Sequence, residues 1–192
     1  MTSRIARDPA QFAEPPWARL LFADRRAAWL WLAVRLYVGY EWLAAGYEKA
    51  FGDASANWIG ANAGAALRGF AAGALKKTAG DHPDVQGWYA AFLQNVVAPN
   101  AGTFAWLVTA GELLVGIALI AGALTGIAAF FGVVMNANYL LAGTVSSNPI
   151  LIILGALLML AWRNAGWIGL DRLLLPALGT PWQRGAAFGD RA

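Results

Sequence analysis

Apolar residues run almost unbroken through four stretches of the chain, each about the length of a bilayer crossing. They are residues 27–48 (AAWLWLAVRLYVGYEWLAAGYE), 103–122 (TFAWLVTAGELLVGIALIAG), 125–144 (TGIAAFFGVVMNANYLLAGT) and 149–168, which begins PILIILGALLMLAW. Each approaches the ~20 residues that a ~30 Å hydrocarbon core requires of a helix. The pattern predicts an all-α integral membrane protein whose domain, residues 27–176, is a four-helix transmembrane bundle. Ala123 and Leu124 leave spans two and three only a tight antiparallel hairpin. The VSSNP link between spans three and four is nearly as short. There Ser147 or Asn148 can cap the fourth helix, with Pro149 in its first turn, where a missing N–H does no harm.

The long connection between spans one and two, residues 49–102, has a pattern of its own. In DVQGWYAAFLQNVV, the apolar residues Val85, Trp88, Tyr89, Phe92, Leu93 and Val96 recur at helical spacing, with Asp84 near the start. That is an amphipathic helix, and its apolar face must cover something. The preceding NWIGANAGAALRGFAAGALKK is richer in Gly and Ala and predicts a weaker, broken helix. Together they read as a lid over the outer mouth of the bundle; the plainer alternative is a loop that is helical by accident.

Composition agrees: 59% of residues are hydrophobic and only 13% charged, about half the charge expected of a soluble domain. The net charge of +3 is concentrated near the ends rather than along a stripe, which gives nucleic-acid binding no support. The absence of cysteine excludes thiol catalysis, disulfides, thiolate-held iron–sulfur clusters and thioether-linked haem. His82 is the sole histidine, so one chain cannot build a bis-histidine haem or a di-metal centre. In GDHPD it reads as a surface loop residue, a weak metal site with Asp81 and Asp84 being the alternative; no metal is expected. GxGxxG, P-loop and HExxH motifs are missing.

Residues 1–26 hold no apolar core suited to a cleavable signal, so span one is expected to act as an uncleaved anchor. Trp17, Leu20, Leu21 and Phe22, among Arg19, Arg25 and Arg26, predict a short interfacial helix. Arg19, Arg25, Arg26, Arg163, Arg172 and Arg184 flank one side of the bundle, against chiefly Lys49 and Arg68 on the other. The positive-inside rule then places both termini, including the tail at 177–192, in the cytoplasm and the 49–102 insertion outside. Trp29, Trp31, Trp162 and Trp167 fall near the cytoplasmic interface, where amphipathic rings are favoured.

Three spans carry ionisable or amide residues on small-residue faces. On span one, Arg35, Gly39, Trp42, Gly46 and Lys49 share a face, with Glu41 and Glu48 about a third of a turn away. Span two offers Ala105, Thr109, Glu112 and Gly116, and span three Gly132, Asn136, Tyr139 and Gly143. Small faces allow close helix approach. Counted from the outer ends, Glu41, Glu112 and Arg35 lie about seven, ten and thirteen residues deep, so neighbours differ by ~4 to 5 Å in height. The expected pair is Arg35 with Glu112, because the guanidinium fork suits carboxylates. Glu41 then competes for that guanidinium and one acid is protonated, unless Glu48 or Lys49 intervenes. Such a cluster suits a quinone headgroup or a proton relay, with Tyr37, Trp42, Thr109, Asn136 and Tyr139 as pocket lining. It equally suits a purely structural pair that sets helix register, with Asn136 and Asn138 as interhelical glue.

RLYVGYEWLAAGYEK, GELLVGIALIAGALTGIAA, MNANYLLAGTVSSNP and AGWIGLDRLLLP, taken in order over residues 30 to 176, resemble the DoxX/DoxD-like integral membrane proteins. The Gly111–Glu112 pair, and Gly169 with Asp171, match the recurring pattern of that family. The resemblance implies a small subunit of a quinone-linked oxidoreductase, of the thiosulfate:quinone type, in a bacterial or archaeal plasma membrane. It implies contact with lipid and with another redox protein subunit, with homo-oligomers allowed, and it supplies no catalytic set. Asp171 and Arg172 read as an anchor at the end of the fourth helix. A non-catalytic membrane scaffold is the alternative function, and a small-solute or ion pathway ranks third, because four spans leave little room for a pore.

Overall fold

The computed structural model describes residues 14–180 and 183–187. Residues 1–13 of the expected interfacial segment, and residues 181, 182 and 188–192 of the expected tail, lie outside the described residues.

The described chain is predominantly helical. A short helix α1 (Pro16–Ala23) leads through a 3-10 turn into α2 (Ala28–Phe51), the longest helix at 24 residues. Three further helices follow in the insertion: α3 (Ser55–Trp58), α4 (Ala65–Leu75) and α5 (Gly87–Phe92). The last runs directly into a π-helical turn at Leu93–Val97. Then come α6 (Ala101–Ala121), α7 (Thr125–Leu141), α8 (Asn148–Leu160) and α9 (Asp171–Leu178). A two-residue hairpin, β1 (Gly179–Thr180) with β2 (Gln183–Arg184), closes the described part.

Helix α2 packs chiefly on α6 and also on α8, while α7 packs on α6 and α8. The first contact is set by glycines. A Cβ at Gly46 would lie 2.8 Å from the Leu113 nitrogen, one at Gly116 would lie 2.5 Å from the Leu43 nitrogen, and one at Gly39 would meet Ile120 at 2.9 Å. The two helices therefore touch backbone to backbone over about two turns, antiparallel, with Gly46 level with Glu112 and Leu113. Behind that contact a core forms from Trp31, Val38, Trp42, Val115, Leu119, Ala129, Leu151 and Leu158.

The outer faces of the same helices are apolar. Leu107, Leu114 and Ile117 on α6, Ile127 and Phe131 on α7, and Ile153 and Leu160 on α8 are all exposed, whereas the inward face of α6 holds Ala105, Thr109, Glu112 and Gly116. Small and polar residues inside, with large apolar ones outside, is the arrangement of helices solvated by lipid. By length and composition, α6 is the one described helix apolar enough to cross a membrane. Helix α2 is long enough but carries Arg35, Glu41, Glu48 and Lys49, and α7 and α8 are apolar but shorter, at 17 and 13 residues.

Two boundaries differ from the sequence expectation. The fourth helix ends at Leu160 rather than near residue 168, and the chain then turns through Ala161–Leu170. Asn164 holds that turn: its amide donates to the carbonyls of Leu21, at 2.9 Å, and Asp24, at 2.7 Å, which ties it to the end of α1. At the start of α8, neither expected cap forms a capping hydrogen bond; Asn148 instead donates back to the Thr144 carbonyl at 3.0 Å, while Pro149 does stand in the first turn.

The insertion folds as a broken pair of helices over a second core. Leu67, Ala71 and Ala74 from α4 meet Val85, Tyr89, Leu93 and Val97, together with Ala105 of α6 and Ala142. The break between α3 and α4 includes Gly64, at φ +82°, where a side chain would collide with the Ala101 backbone at 2.5 Å. Within the amphipathic stretch, Trp88 and Val96 are exposed and Val97 is buried. The π turn explains the shift: Ala98 N–H bonds to the Leu93 carbonyl at 2.8 Å, and the extra residue carries the buried face from Val96 to Val97. Lys77 donates to the Gly143 carbonyl at 2.6 Å and Tyr89 to the Asn138 carbonyl at 3.0 Å, so the insertion is fastened to the end of α7. Burial pushes the Tyr89 phenol up from its ordinary value, which keeps that donor protonated.

Candidate functional site

Glu112 projects from the inward face of α6 and is 1% exposed, and two side chains from other helices, Lys49 and Tyr139, bind its carboxylate. The Lys49 ammonium lies 2.8 Å from Oε2 and 3.0 Å from Oε1, and the Tyr139 hydroxyl donates to Oε1 at 2.7 Å. Lys49 also donates to the Ala45 carbonyl at 3.3 Å and sits 5.0 Å from the centroid of the Trp58 ring. An aromatic face adds electrostatic stabilisation for the ammonium. The buried carboxylate is thus compensated by a cation and a hydroxyl, the condition for holding a charge away from water.

The expected Arg35–Glu112 pair does not form. Arg35 is 1% exposed at the opposite end of the α2–α6 contact, where it donates to the carbonyls of Ile168, at 2.7 Å, and Ile120, at 3.4 Å. Those bonds place a cation at the C-terminus of α6, where the helix dipole favours one. The reason for the difference is register. Helix α6 begins beneath the insertion, well beyond the end of α2, so Glu112 is far along α6 yet level with Gly46, near the C-terminal end of α2. From there Arg35 is eleven residues away, or ~16 Å along the helix. Lys49 is on hand instead.

The remaining expected residues divide. Glu41, Trp42, Asn136 and Tyr139 line one cavity with Glu112 and Lys49. Thr109 is buried on the same face of α6, with its hydroxyl unpaired among the described residues. Tyr37 does not line the cavity: it is 43% exposed on the outer face of α2. Asp171 is buried and anchors the start of α7 rather than the end of the fourth helix. Its carboxylate accepts from Leu124 N–H at 2.5 Å and Thr125 N–H at 2.9 Å, which stabilises Leu124 at φ +49°. Arg172 is exposed. His82, Asp81 and Asp84 are exposed as well, and among the described residues no group of three His, Cys, Asp or Glu side chains could hold a metal ion.

The cavity around the Lys49–Glu112–Tyr139 network measures about 290 Å³. Its walls come from α2, α3, α4, α6, α7, the 144–148 loop and α8. Trp42, Trp58 and Phe70 supply aromatic surface, and Thr144, Ser146, Ser147 and Asn148 supply hydroxyl and amide groups. Ser146 has φ +40°, an uncommon conformation for a non-glycine residue and one found at ligand sites. A second, largely apolar cleft of about 190 Å³ adjoins it and shares Leu67, Phe70 and Tyr139; Phe92, Leu93, Val97 and Met135 line its far side. The sequence offered Lys49, on the Arg35 stripe, only as a group that could intervene in the acid cluster and not as the partner of Glu112, and gave no signal for Trp58 or the 144–148 loop.

No curated protein and no solved structure matches the chain. The sequence profile of the DoxX family matches residues 30–145, which include Glu41, Lys49, Trp58, Glu112, Asn136 and Tyr139. With more than half of its length matched, the chain belongs to the membrane-associated DoxX family.

Proposed function

We propose that this protein is the membrane subunit of a quinone-linked oxidoreductase assembly, with the headgroup of the quinone held in the polar cavity. The observation that carries the reading is the shared wall: a polar chamber and an apolar cleft meet at Leu67, Phe70 and Tyr139. A polar head with an apolar tail fits that pairing, since ligand sites combine apolar walls with a few placed polar groups. A quinone supplies uptake of electrons together with protons. The residues around it orient the ring against Trp42, Trp58 and Phe70, and the Tyr139 hydroxyl with the Glu112 carboxylate holds or passes a proton.

In this reading all four of α2, α6, α7 and α8 cross the bilayer, with both termini on the cytoplasmic side and the insertion outside. The outward apolar faces and the positions of the arginines support it. A chain with no cysteine and one histidine has few side chains to ligate a redox centre, so the electrons are assigned to a second protein subunit.

The test is purification with native lipid, followed by extraction and identification of bound quinone from the wild type and from Glu112→Gln. Quinone in the wild type, depleted in the variant at unchanged helicity, supports the reading. Absence of quinone from both overturns it.

A further inference from the structure

Asn136 is fully buried on the cavity wall, and neither its amide nitrogen nor its carbonyl oxygen has a hydrogen-bond partner among the described residues. Glu41 lines the same cavity from α2, half-buried; the one ammonium there, Lys49, is hydrogen-bonded to Glu112. An amide with both ends unpaired is costly in a protein interior. These two side chains, beside the hydroxyls of Thr144, Ser146 and Ser147, are therefore free to meet a ligand, while Lys49 and Tyr139 are engaged with Glu112.

The charge count discriminates between ligands. Two carboxylates face one ammonium, so an entering anion meets repulsion from Glu41 in surroundings of low dielectric. An uncharged ring pays no such cost and can stack on the aromatic walls. A hydroxyl on that ring gives Glu41 a donor, and the Asn136 amide can both donate and accept.

We infer that the cavity selects an uncharged, hydroxyl-bearing aromatic head, a quinol rather than a sulfur oxoanion, through Glu41 and Asn136. The inference rests on the quinone reading and adds the favoured ring state and the residues that read it. It assigns any oxidisable sulfur anion to a surface outside this chamber.

The test uses the full chain in lipid nanodiscs, with a benzoquinol bearing a ten-carbon tail as one probe and sodium thiosulfate as the other. The quinol should bind the wild type and the oxoanion should neither bind nor compete. Glu41→Ala should weaken the quinol at least about tenfold, as loss of a hydrogen bond to a charged group does, and Asn136→Leu about fivefold, as loss of a neutral one does. Glu41→Lys should weaken the quinol and introduce oxoanion binding. Thiosulfate displacing the quinol from the wild type would overturn the inference. So would Glu41→Ala, a change at a part-exposed position that leaves the buried network intact, if it bound quinol as tightly as the wild type. Either result leaves the quinone reading standing, as does binding of the matching benzoquinone in place of the quinol, which overturns the inference alone; failure of the folded wild type to bind either ring state would remove both.

Discussion

The ammonium of Lys49 straddles the carboxylate of Glu112, 2.8 and 3.0 Å from its two oxygens, across the contact between the two longest helices. Glu112 is almost wholly buried and the Lys49 side chain is 17% exposed, so each charge depends on the other. Lys49→Met should therefore destabilise the fold by about 3 kcal/mol, the cost of stranding one member of a buried pair. Adding Glu112→Gln to Lys49→Met should recover most of the loss. Thermal unfolding of the two single variants and the double variant in nanodiscs closes the cycle; strict additivity would show that the pair is energetically silent.

Arg35 is expected to matter for the fold and not for the cavity. Arg35→Met removes the donors to the Ile120 and Ile168 carbonyls and should cost about 2 kcal/mol. Quinol affinity measured below the melting transition should stay within about twofold, since the residue lies roughly 16 Å along α2 from the level of Glu112. A selective loss of affinity at unchanged stability would contradict this division.

Glycines in this chain separate sharply by what surrounds them. Gly116→Val places side-chain atoms where a Cβ alone would already lie 2.5 Å from the Leu43 backbone nitrogen, and should destabilise by about 3 kcal/mol or more. Gly69→Ala and Gly73→Ala, on α4, meet nothing within 4 Å and should each stabilise by about 0.5–1 kcal/mol through helix propensity. Melting temperatures of the three variants give the comparison directly.

Asp24 accepts from the Arg26 backbone at 2.9 Å and from its guanidinium at 2.8 Å. The Arg26 guanidinium and backbone N–H hold the carboxyl below its ordinary 3.8. A group depressed in the folded state stabilises the junction of α1 and α2 above the unfolded value, and that contribution disappears as pH falls through the folded one. Limited proteolysis at Arg25 and Arg26 should accordingly accelerate below about pH 4 in the wild type. In Asp24→Asn it should be faster at neutral pH and flat over that window.

The absence of cysteine makes topology directly measurable. A single Asp81→Cys in the insertion should react with an impermeant maleimide added to intact cells. A single Arg172→Cys should react only after permeabilisation. Both positions are exposed, so burial does not mask either outcome.

Much of the helical framework was legible in the residues, because inward faces repeat at helical spacing: Gly39, Trp42 and Gly46 on α2, and Thr109, Glu112 and Gly116 on α6. Periodicity states which residues share a face but not how far one helix slides along another. That slide is decided where Gly46 meets Leu113 and Gly116 meets Leu43, a relation between distant segments. The ion pair was misassigned for that reason alone. The turn after α8 was unreadable on other grounds, since Asn164 acts through carbonyls of Leu21 and Asp24, more than 130 positions away. The π turn at Leu93–Val97 likewise gives no compositional sign, and it moved the buried face from Val96 to Val97. Within the site, Trp42, Asn136 and Tyr139 were found by the small and polar faces on which they stand and Glu41 by its depth beside Glu112, whereas Trp58 reaches the cavity only because α3 folds back on α2.

The glycine contact between α2 and α6 has one more consequence. Because main chain meets main chain there, no layer of movable side chains lies between the two helices to absorb a sideways shift. Lys49 and Glu112 are mounted on what amounts to a single rigid beam, and Arg35 with its carbonyl seat is mounted on the same beam at the far end. The separation of the two helices that carry Lys49 and Glu112 is then set by the thickness of two bare backbones, a dimension that side-chain thermal motion does not widen.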